Sequence, residues 1–349
     1  MKNKKLIYLL IIVLVVWNII LTAVLVKNNN NNNNNTIQVT ETRVNGFSTD
    51  LTEVYKKVKS SIVTIETDSS TLSGFIYSKE IDKFYVITCY HGVSDKQSVK
   101  VTLASGKELE ATIKGYDVYS DIAVIEVNSD LQVNPIELGD SDLLKDGEFV
   151  LTVASPSNQD LDNSISLGMI SNKLKTITNS ITVDSNTYEY YMNIIQLDTN
   201  VTKGYSGSPI FNMAGQVEGV VSMKEDNAVF ALPINEIKII AENIINEKEY
   251  FKVSLGINEL YVNNLETYEK NQLAIPLDVN DGCYVKAVMP NSVADIAGIK
   301  VGDIIKSVND VNMIGNRDLL SIEYSNDRKF DFKVLRNNEE LTLSGSISD

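Results

Sequence analysis

Histidine and cysteine are nearly absent from this chain, which has one of the first and two of the second in 349 residues. With no Cys-x-x-Cys pair either, the sequence offers no zinc site of the usual kind. Nothing points to a carboxylate cation site, so no metal and no cofactor is expected. Cys89 and Cys283 are far apart in sequence, which argues against a disulfide framework. Basic residues are also scarce: 31 Lys and Arg stand against 46 Asp and Glu, for a formal charge of −15. Phosphate neutralisation needs lysine and arginine on one face, and no basic cluster exists beyond the N-terminus, so nucleic acid is excluded as an expected partner. Apolar residues are plentiful at 43%, enough for real cores. The length suggests about two to three domains.

The N-terminus carries Lys2, Lys4 and Lys5, followed by an apolar run from Leu6 to Val26. A helix of that length crosses about 30 Å of hydrocarbon. A cleaved signal peptide is the alternative, but its apolar region is usually about 7–15 residues with an Ala-x-Ala-like site. The expectation is an uncleaved anchor, with the N-terminus cytoplasmic and everything after it outside. Asn28 to Asn35 is an unbroken asparagine run and reads as part of a flexible tether.

Asp50–Lys59 has helical periodicity, with Asp50 as its cap and Leu51, Val54, Tyr55 and Val58 on one face. Short β-like runs then follow at Ile62–Glu66, Leu72–Tyr77, Phe84–Cys89, Val99–Leu103, Leu109–Tyr116 and Ile122–Val127. A second set comprises Phe149–Ala154, Ile165–Ser171, a segment within Ile177–Thr187, Tyr190–Leu197, Pro209–Phe211, Val217–Met223 and Val229–Leu232. Asn235 is expected to cap an amphipathic helix presenting Ile237, Ile240, Ala241, Ile244 and Ile245. Two strand sets without intervening helices suggest two packed β-barrels. From Tyr250 to Asp349 the pattern is mixed, with helices expected near Ser292–Ala297, stopped by Gly298, and near Arg317–Tyr324.

Three residues carry candidate chemistry. Ser206 lies in Gly204-Tyr205-Ser206-Gly207-Ser208-Pro209, where Gly204 permits a positive φ that turns its N–H, with that of Ser206, toward one point. Two such donors stabilise an oxyanion. His91, the sole histidine, follows the strand Val86–Cys89, and Asp121 opens the strand that begins at Ile122. A serine hydrolase needs a nucleophile, a base that takes its proton and an acid that orients the base. Ser206, His91 and Asp121 supply these types in that order of roles.

The same residues carry a resemblance to the HtrA family of trypsin-like serine proteases. Ser73-Gly74-Phe75-Ile76, Thr88-Cys89-Tyr90-His91-Gly92-Val93, Asp121-Ile122-Ala123-Val124-Ile125, Leu138-Gly139-Asp140-Ser141, Ile195-Gln196-Leu197-Asp198, Gly204–Pro209 and Phe230-Ala231-Leu232-Pro233 resemble that family's segments in order. The resemblance spans roughly residues 50 to 349 and implies a mainly β fold: a chymotrypsin-like double barrel at 49–247 and a PDZ domain at 250–349. The anchor and cytoplasmic flank would occupy 1–27 and the Asn-rich linker 28–48. It implies a catalytic triad of His91, Asp121 and Ser206, an oxyanion hole from Gly204 and Ser206, and a structural role for Asp198. Ser254-Leu255-Gly256-Ile257 resembles the PDZ carboxylate-binding loop, so Leu255, Gly256 and Ile257 are expected to hold a peptide C-terminus ending in an apolar residue. The base of the primary pocket falls near Asn200 and Val220–Ser222, where no acid stands, so small or medium aliphatic residues fit it better than basic ones. A homotrimer through Phe47 and the segment before the first helix is also implied.

Several residues depart from the family pattern. Cys89 stands where the family has Asn, Tyr205 replaces Asn, and Ser208 replaces Gly. Gly92 is inserted after His91, and Thr202-Lys203 replaces Asn-Pro. Cys89 reads as a buried small residue, with a redox switch as the alternative. The expected function is membrane-anchored, extracytoplasmic proteolysis of misfolded or regulatory proteins, with one membrane substrate as a narrower version. The rival from another class is a PDZ-based binding or chaperone-like protein, its pocket made inert by Ser208 and Tyr205.

Overall fold

Short, mostly apolar runs close into two barrels. In this computed structural model, residues 51–155, 164–183, 186–225, 228–248 and 252–347 are described. The first barrel is formed by β1 (Ile62–Glu66), β2 (Thr71–Lys79), β3 (Lys83–Cys89), β4 (Ser98–Leu103), β5 (Glu108–Asp117) and β6 (Ile122–Asn128). Its closed order is β1-β2-β3-β6-β5-β4. Val63, Ile65, Val86, Val101, Ile125 and their neighbours fill the interior. The second barrel uses β7 (Phe149–Ala154), β8 (Ser164–Val183), β9 (Asn186–Asp198), β10 (Pro209–Phe211), β11 (Val217–Glu225) and β12 (Ala228–Pro233). It closes as β10-β11-β12-β9-β8-β7.

Two runs expected as separate strands, Ile165–Ser171 and the segment within Ile177–Thr187, are parts of β8, which is 20 residues long. The polar stretch Ser171-Asn172-Lys173 does not turn the chain. Register shifts at Ile170/Asn172 and Asn172/Lys175 absorb it as bulges while pairing with β9 continues.

Helix α1 (Leu51–Val58) buries Val54 and Val58, as its periodicity predicts. Asp50, its expected cap, lies outside the described residues, as do Leu6–Val26, Asn28–Asn35 and Phe47. Among the described residues no helix is long and apolar enough to cross a membrane. Helix α2 (Ile234–Ile245) is not capped by Asn235. Pro233 holds the N-cap position at φ −62°, ψ 140°, and starts the helix two residues earlier. Asn235 lies in the first turn, where its N–H reaches Ser141 Oγ at 3.2 Å and its amide reaches Asp140 Oδ1 at 2.7 Å.

The C-terminal sheet runs β13-β14-β15-β17-β18, from β13 (Ile257–Tyr261), β14 (Cys283–Val288), β15 (Ile304–Val308), β17 (Lys329–Arg336) and β18 (Glu339–Ser346). The short β16 (Val311–Asn312) pairs with β15. Three helices accompany this sheet rather than the two expected. The additional one is α3 (Thr267–Gln272), started by Glu269, whose carboxylate accepts from the Glu266 N–H at 2.8 Å. In α4 (Val293–Ala297) Ser292 is the cap and Gly298 ends the helix at φ +83°. Helix α5 (Asn316–Glu323) sends Leu319 and Ile322 into the core of this module, while Leu320 and Tyr324 join the apolar cluster shared with the barrels and α2. Beside that contact Lys252 Nζ donates to Glu236 Oε1 at 2.7 Å and to Tyr324 Oη at 2.8 Å. Tyr324 Oη donates to the same Glu236 oxygen at 2.7 Å.

Candidate active site

Antiparallel pairing of β3 with β6 sets Cys89 opposite Ile122. The residue before β6, Asp121, is therefore brought beside the short 3-10 turn Tyr90–Gly92 that ends β3 and carries His91. The contact is tied at four points. Tyr90 N–H donates to the Asp121 carbonyl at 2.9 Å, and His91 N–H donates to Asp121 Oδ1 at 2.8 Å. His91 Nδ1 and Asp121 Oδ2 are 2.7 Å apart. Ser222 Oγ, from β11 in the other barrel, donates to Oδ2 at 2.8 Å. Asp121 holds this position with φ +58°, a conformation that Asp tolerates better than most residues. A carboxylate facing Nδ1 places the ring proton there and leaves Nε2 as the acceptor. The hydrogen bond to Asp121 raises the His91 pKa above its ordinary 6.5, against the opposite pull of burial.

The loop that carries Ser206 is fastened to the strand that leads to His91. Ser73 N–H on β2 donates to the Ser206 carbonyl at 3.0 Å, and Ser73 Oγ donates to the Gly204 carbonyl at 2.8 Å. Gly207 lies at φ +84°, and a side chain there would collide with the Ser73 carbonyl oxygen and Thr88 Oγ1 and come within 3.1 Å of the Cys89 nitrogen. Only glycine lets the Ser206 loop approach β2 and the end of β3 so closely. Gly204 has φ +98°. Among the described residues the N–H groups of Gly204 and Ser206 have no protein partner, which leaves both donors free at the serine. His91 and Asp121 are joined directly, but no hydrogen bond links the Ser206 hydroxyl to the His91 ring.

The departures noted in the sequence fit the loop. Ser208 is fully buried, and its Oγ donates to the Tyr205 carbonyl at 2.6 Å, closing the turn alongside its own N–H at 2.9 Å. Its φ is not positive, so the position does not need glycine. Tyr205 is buried in the interior of the second barrel with Leu144, Val150, Val201 and Val221. A side chain at Gly92 would run into Leu72, which explains the glycine beside His91. Cys89 is wholly buried and its thiol donates to the Val221 carbonyl at 3.3 Å. Burial first, and then the Asp121 charge, push its pKa well up, so it is a neutral, inert thiol rather than a redox switch. Among the described residues Cys89, His91 and Asp121 are the one group whose ligand-type atoms converge, within 4.8 Å of one another. All three already serve as hydrogen-bond partners within the protein.

Val220, Val221 and Ser222 are buried, whereas Asn200 is exposed. Ser222, which the sequence reading placed only in the pocket wall, is brought by the fold onto the Asp121 carboxylate. A small polar residue inside a strand has no local signature of its partner, which is 101 positions away.

In the C-terminal module Leu255, Gly256 and Ile257 are buried. Gly256 adopts φ +77°, and a side chain there would strike Ser292. The Leu255 N–H is not free, since it donates to Glu323 Oε1 at 3.1 Å.

A trypsin-like peptidase domain model matches residues 72–220, and a PDZ domain model matches residues 284–324. The chain is 32% identical over 287 residues to the serine protease Do-like HtrA of Bacillus subtilis (strain 168), covering 79% of this chain and 63% of that protein. It is 30% identical over 358 residues to the serine protease Do-like HtrA of Lactococcus lactis subsp. cremoris (strain MG1363), covering 89% and 87%. The chain thus spans less than two thirds of the first relative's length and most of the second's. In fold it is similar to the HtrA-type protease AlgW with decapeptide, at TM-score 0.53 and 19% identity over 85% of this chain and 98% of that one. It is also similar to the serine endoprotease from Yersinia pestis, at TM-score 0.51 and 21% identity over 85% and 97%.

Proposed function

The chain belongs to the Do-like HtrA family of serine proteases and carries a PDZ domain, and from that premise we propose that it is a membrane-anchored, extracytoplasmic serine endopeptidase. The observation that carries the catalytic reading is the His91–Asp121 contact of 2.7 Å, held from behind by Ser222. In this mechanism Ser206 Oγ attacks the scissile carbonyl carbon while His91 Nε2 takes its proton. The N–H groups of Gly204 and Ser206 hold the oxyanion, and His91 then protonates the leaving amine. Asp121 fixes the imidazole tautomer and stabilises its charged form. Substrate binding would close the gap between Ser206 and His91, as catalytic hydrogen bonds often tighten only in the complex.

The substrates proposed are misfolded or regulatory proteins, recruited in part through their C-terminal peptides at the PDZ domain. The basic flank and the apolar run Leu6–Val26 support a single anchor with a cytoplasmic N-terminus. Protease added to intact cells should then degrade the chain beyond the anchor. Recovery of the full-length protein in a carbonate-soluble fraction would refute that topology. A homotrimer built through the segment before α1 is part of the same reading, and sedimentation equilibrium of the full chain tests it.

The missing Ser206–His91 hydrogen bond favours a second reading, a PDZ-based binding protein with little or no proteolytic activity. Cleavage of an unfolded test protein separates the two. The protease reading expects cleavage by the wild-type chain and none by Ser206→Ala; equal residual cleavage by both would remove Ser206 from the mechanism.

A further inference from the structure

The seam between β13 and α5 carries an acid on each side. Glu259 projects from β13, the edge strand of the sheet, and Glu323 closes α5. Glu323 Oε1 occupies the Leu255 N–H, the first amide of the Leu255-Gly256-Ile257 run. Its backbone carbonyl also accepts from Val253 N–H at 2.7 Å, so the residue is anchored beside that loop. Asn193, on β9 of the second barrel, reaches across the seam. Its amide donates to Glu259 Oε1 at 2.8 Å and to Asn316 Oδ1, at the start of α5, at 3.3 Å.

Among the described residues neither Glu259 nor Glu323 forms an ion pair. The nearby Lys252 is committed to Glu236 at 2.7 Å. Unused polar capacity remains in the same region, where Asn258 Oδ1, Asn316 Nδ2 and Ser254 Oγ are buried without partners. A peptide carboxylate that took the Leu255 amide would push Glu323 aside and leave two carboxylates close together. Like charges at such a distance cannot both stay ionised without a compensating cation.

We propose that Glu323, with Glu259, makes this seam a site for C-terminal peptides bearing a lysine or arginine side chain at their end, the peptide's cation pairing with Glu323 as its carboxylate replaces Glu323 on the Leu255 amide. This inference rests on the peptide-binding reading of the PDZ domain and replaces the apolar terminal residue expected from its loop with a basic one. Burial pushes Glu323 up to about 8 and Glu259 up to about 7, so near neutrality Glu323 is mostly protonated and Glu259 about half protonated. Lys252 opposes the shift of Glu323, while Glu259 and Glu236 add to it; Lys286 opposes that of Glu259. Arrival of a peptide ammonium would ionise Glu323 and release its proton to the buffer.

The test uses the full chain with Ser206→Ala, so that peptides are bound and not cut. Calorimetric titration compares two free-acid peptides identical except for a terminal lysine or leucine, each with its amidated counterpart. The expected result is a preference of about tenfold for the lysine peptide, the scale of a charge-assisted hydrogen bond. It should be accompanied at pH 7 by proton release, read from the dependence of the heat on buffer ionisation. Glu323→Gln should abolish both the preference and the proton release. Asn193→Ala, which removes the bridge across the seam, should strengthen binding and keep the preference. A leucine peptide that binds as well as the lysine peptide, or a preference that survives Glu323→Gln, overturns the proposal. If free acids still bind better than amides in that case, the peptide-binding reading stands and only the assignment to Glu323 falls. Absence of binding by either peptide, with Asn193→Ala included, overturns both.

Discussion

Asp121 and Glu323 are two acids drawn into the molecule at the edges of secondary-structure elements, and they are furnished in opposite ways. The Asp121 carboxylate meets the His91 N–H, the His91 ring and the Ser222 hydroxyl within 2.7–2.8 Å. The Glu323 carboxylate has one backbone donor, at 3.1 Å, and burial pushes its pKa to about 8. A carboxylate surrounded by donors from three directions is fixed in one geometry, as an orienting acid must be. One held by a single exchangeable contact is available to a ligand. In the proposed reading the difference separates a finished site from a receptive one, and variants at each acid should respond accordingly.

The largest effect is expected at the finished site. Asp121→Asn leaves the side chain's shape intact but presents a donor toward Nδ1, and kcat on a peptide substrate should fall by about 10⁴-fold. A loss of less than tenfold would show that Asp121 does not orient the base. Ser222→Ala removes one of three contacts to the same carboxylate, and its loss should be about tenfold, the worth of one hydrogen bond to a charged group. The pH profile sharpens the contrast. His91 must be neutral to accept the Ser206 proton, and its pKa is raised, so activity should fall on acidification with a midpoint above 6.5. A midpoint at or below 6.5 in kcat/KM would contradict the His91–Asp121 coupling.

The smallest effect is on stability, at the receptive acid. Glu323 has a folded pKa raised from 4.5 to about 8. Its contribution is therefore fully present below the unfolded value and is lost as pH rises through the folded one. The wild-type chain should lose thermal stability between about pH 4.5 and 8, and Glu323→Gln should flatten that decline. The Tm gain at pH 8 should be about 2–4 °C per kcal/mol relieved. Parallel Tm–pH curves for the two proteins would mean that Glu323 is already solvated.

What could be read from the sequence follows from how local each signal is. Ile62–Glu66 and Phe149–Ala154 are short, mostly apolar runs between turn signals and are strands with those same bounds. His91 and Asp121 lie at strand ends that β3–β6 pairing brings together, so their placement followed from short-range pattern and order. The single strand β8 was not legible, because a polar triplet absorbed as bulges looks the same in sequence as a turn. Pro233 outweighed Asn235 at the start of α2 because a fixed φ decides the first turn before a side chain can cap it. Ser222 and Asn193 were missed for a different reason: each acts on a residue across a barrel or module boundary, at 101 and 66 positions' separation. The Glu266–Glu269 pair that starts α3 was present in the sequence as a capping pattern and could have been used.

The central claim is that His91, held by Asp121, activates Ser206. Labelling with a fluorophosphonate tests it most directly, because only an activated serine reacts and no substrate need be known. The account predicts stoichiometric labelling of the wild-type chain at Ser206, none in Ser206→Ala, and labelling slowed by orders of magnitude in His91→Ala and Asp121→Asn. Wild-type protein that fails to label, or His91→Ala that labels at the wild-type rate, would contradict it.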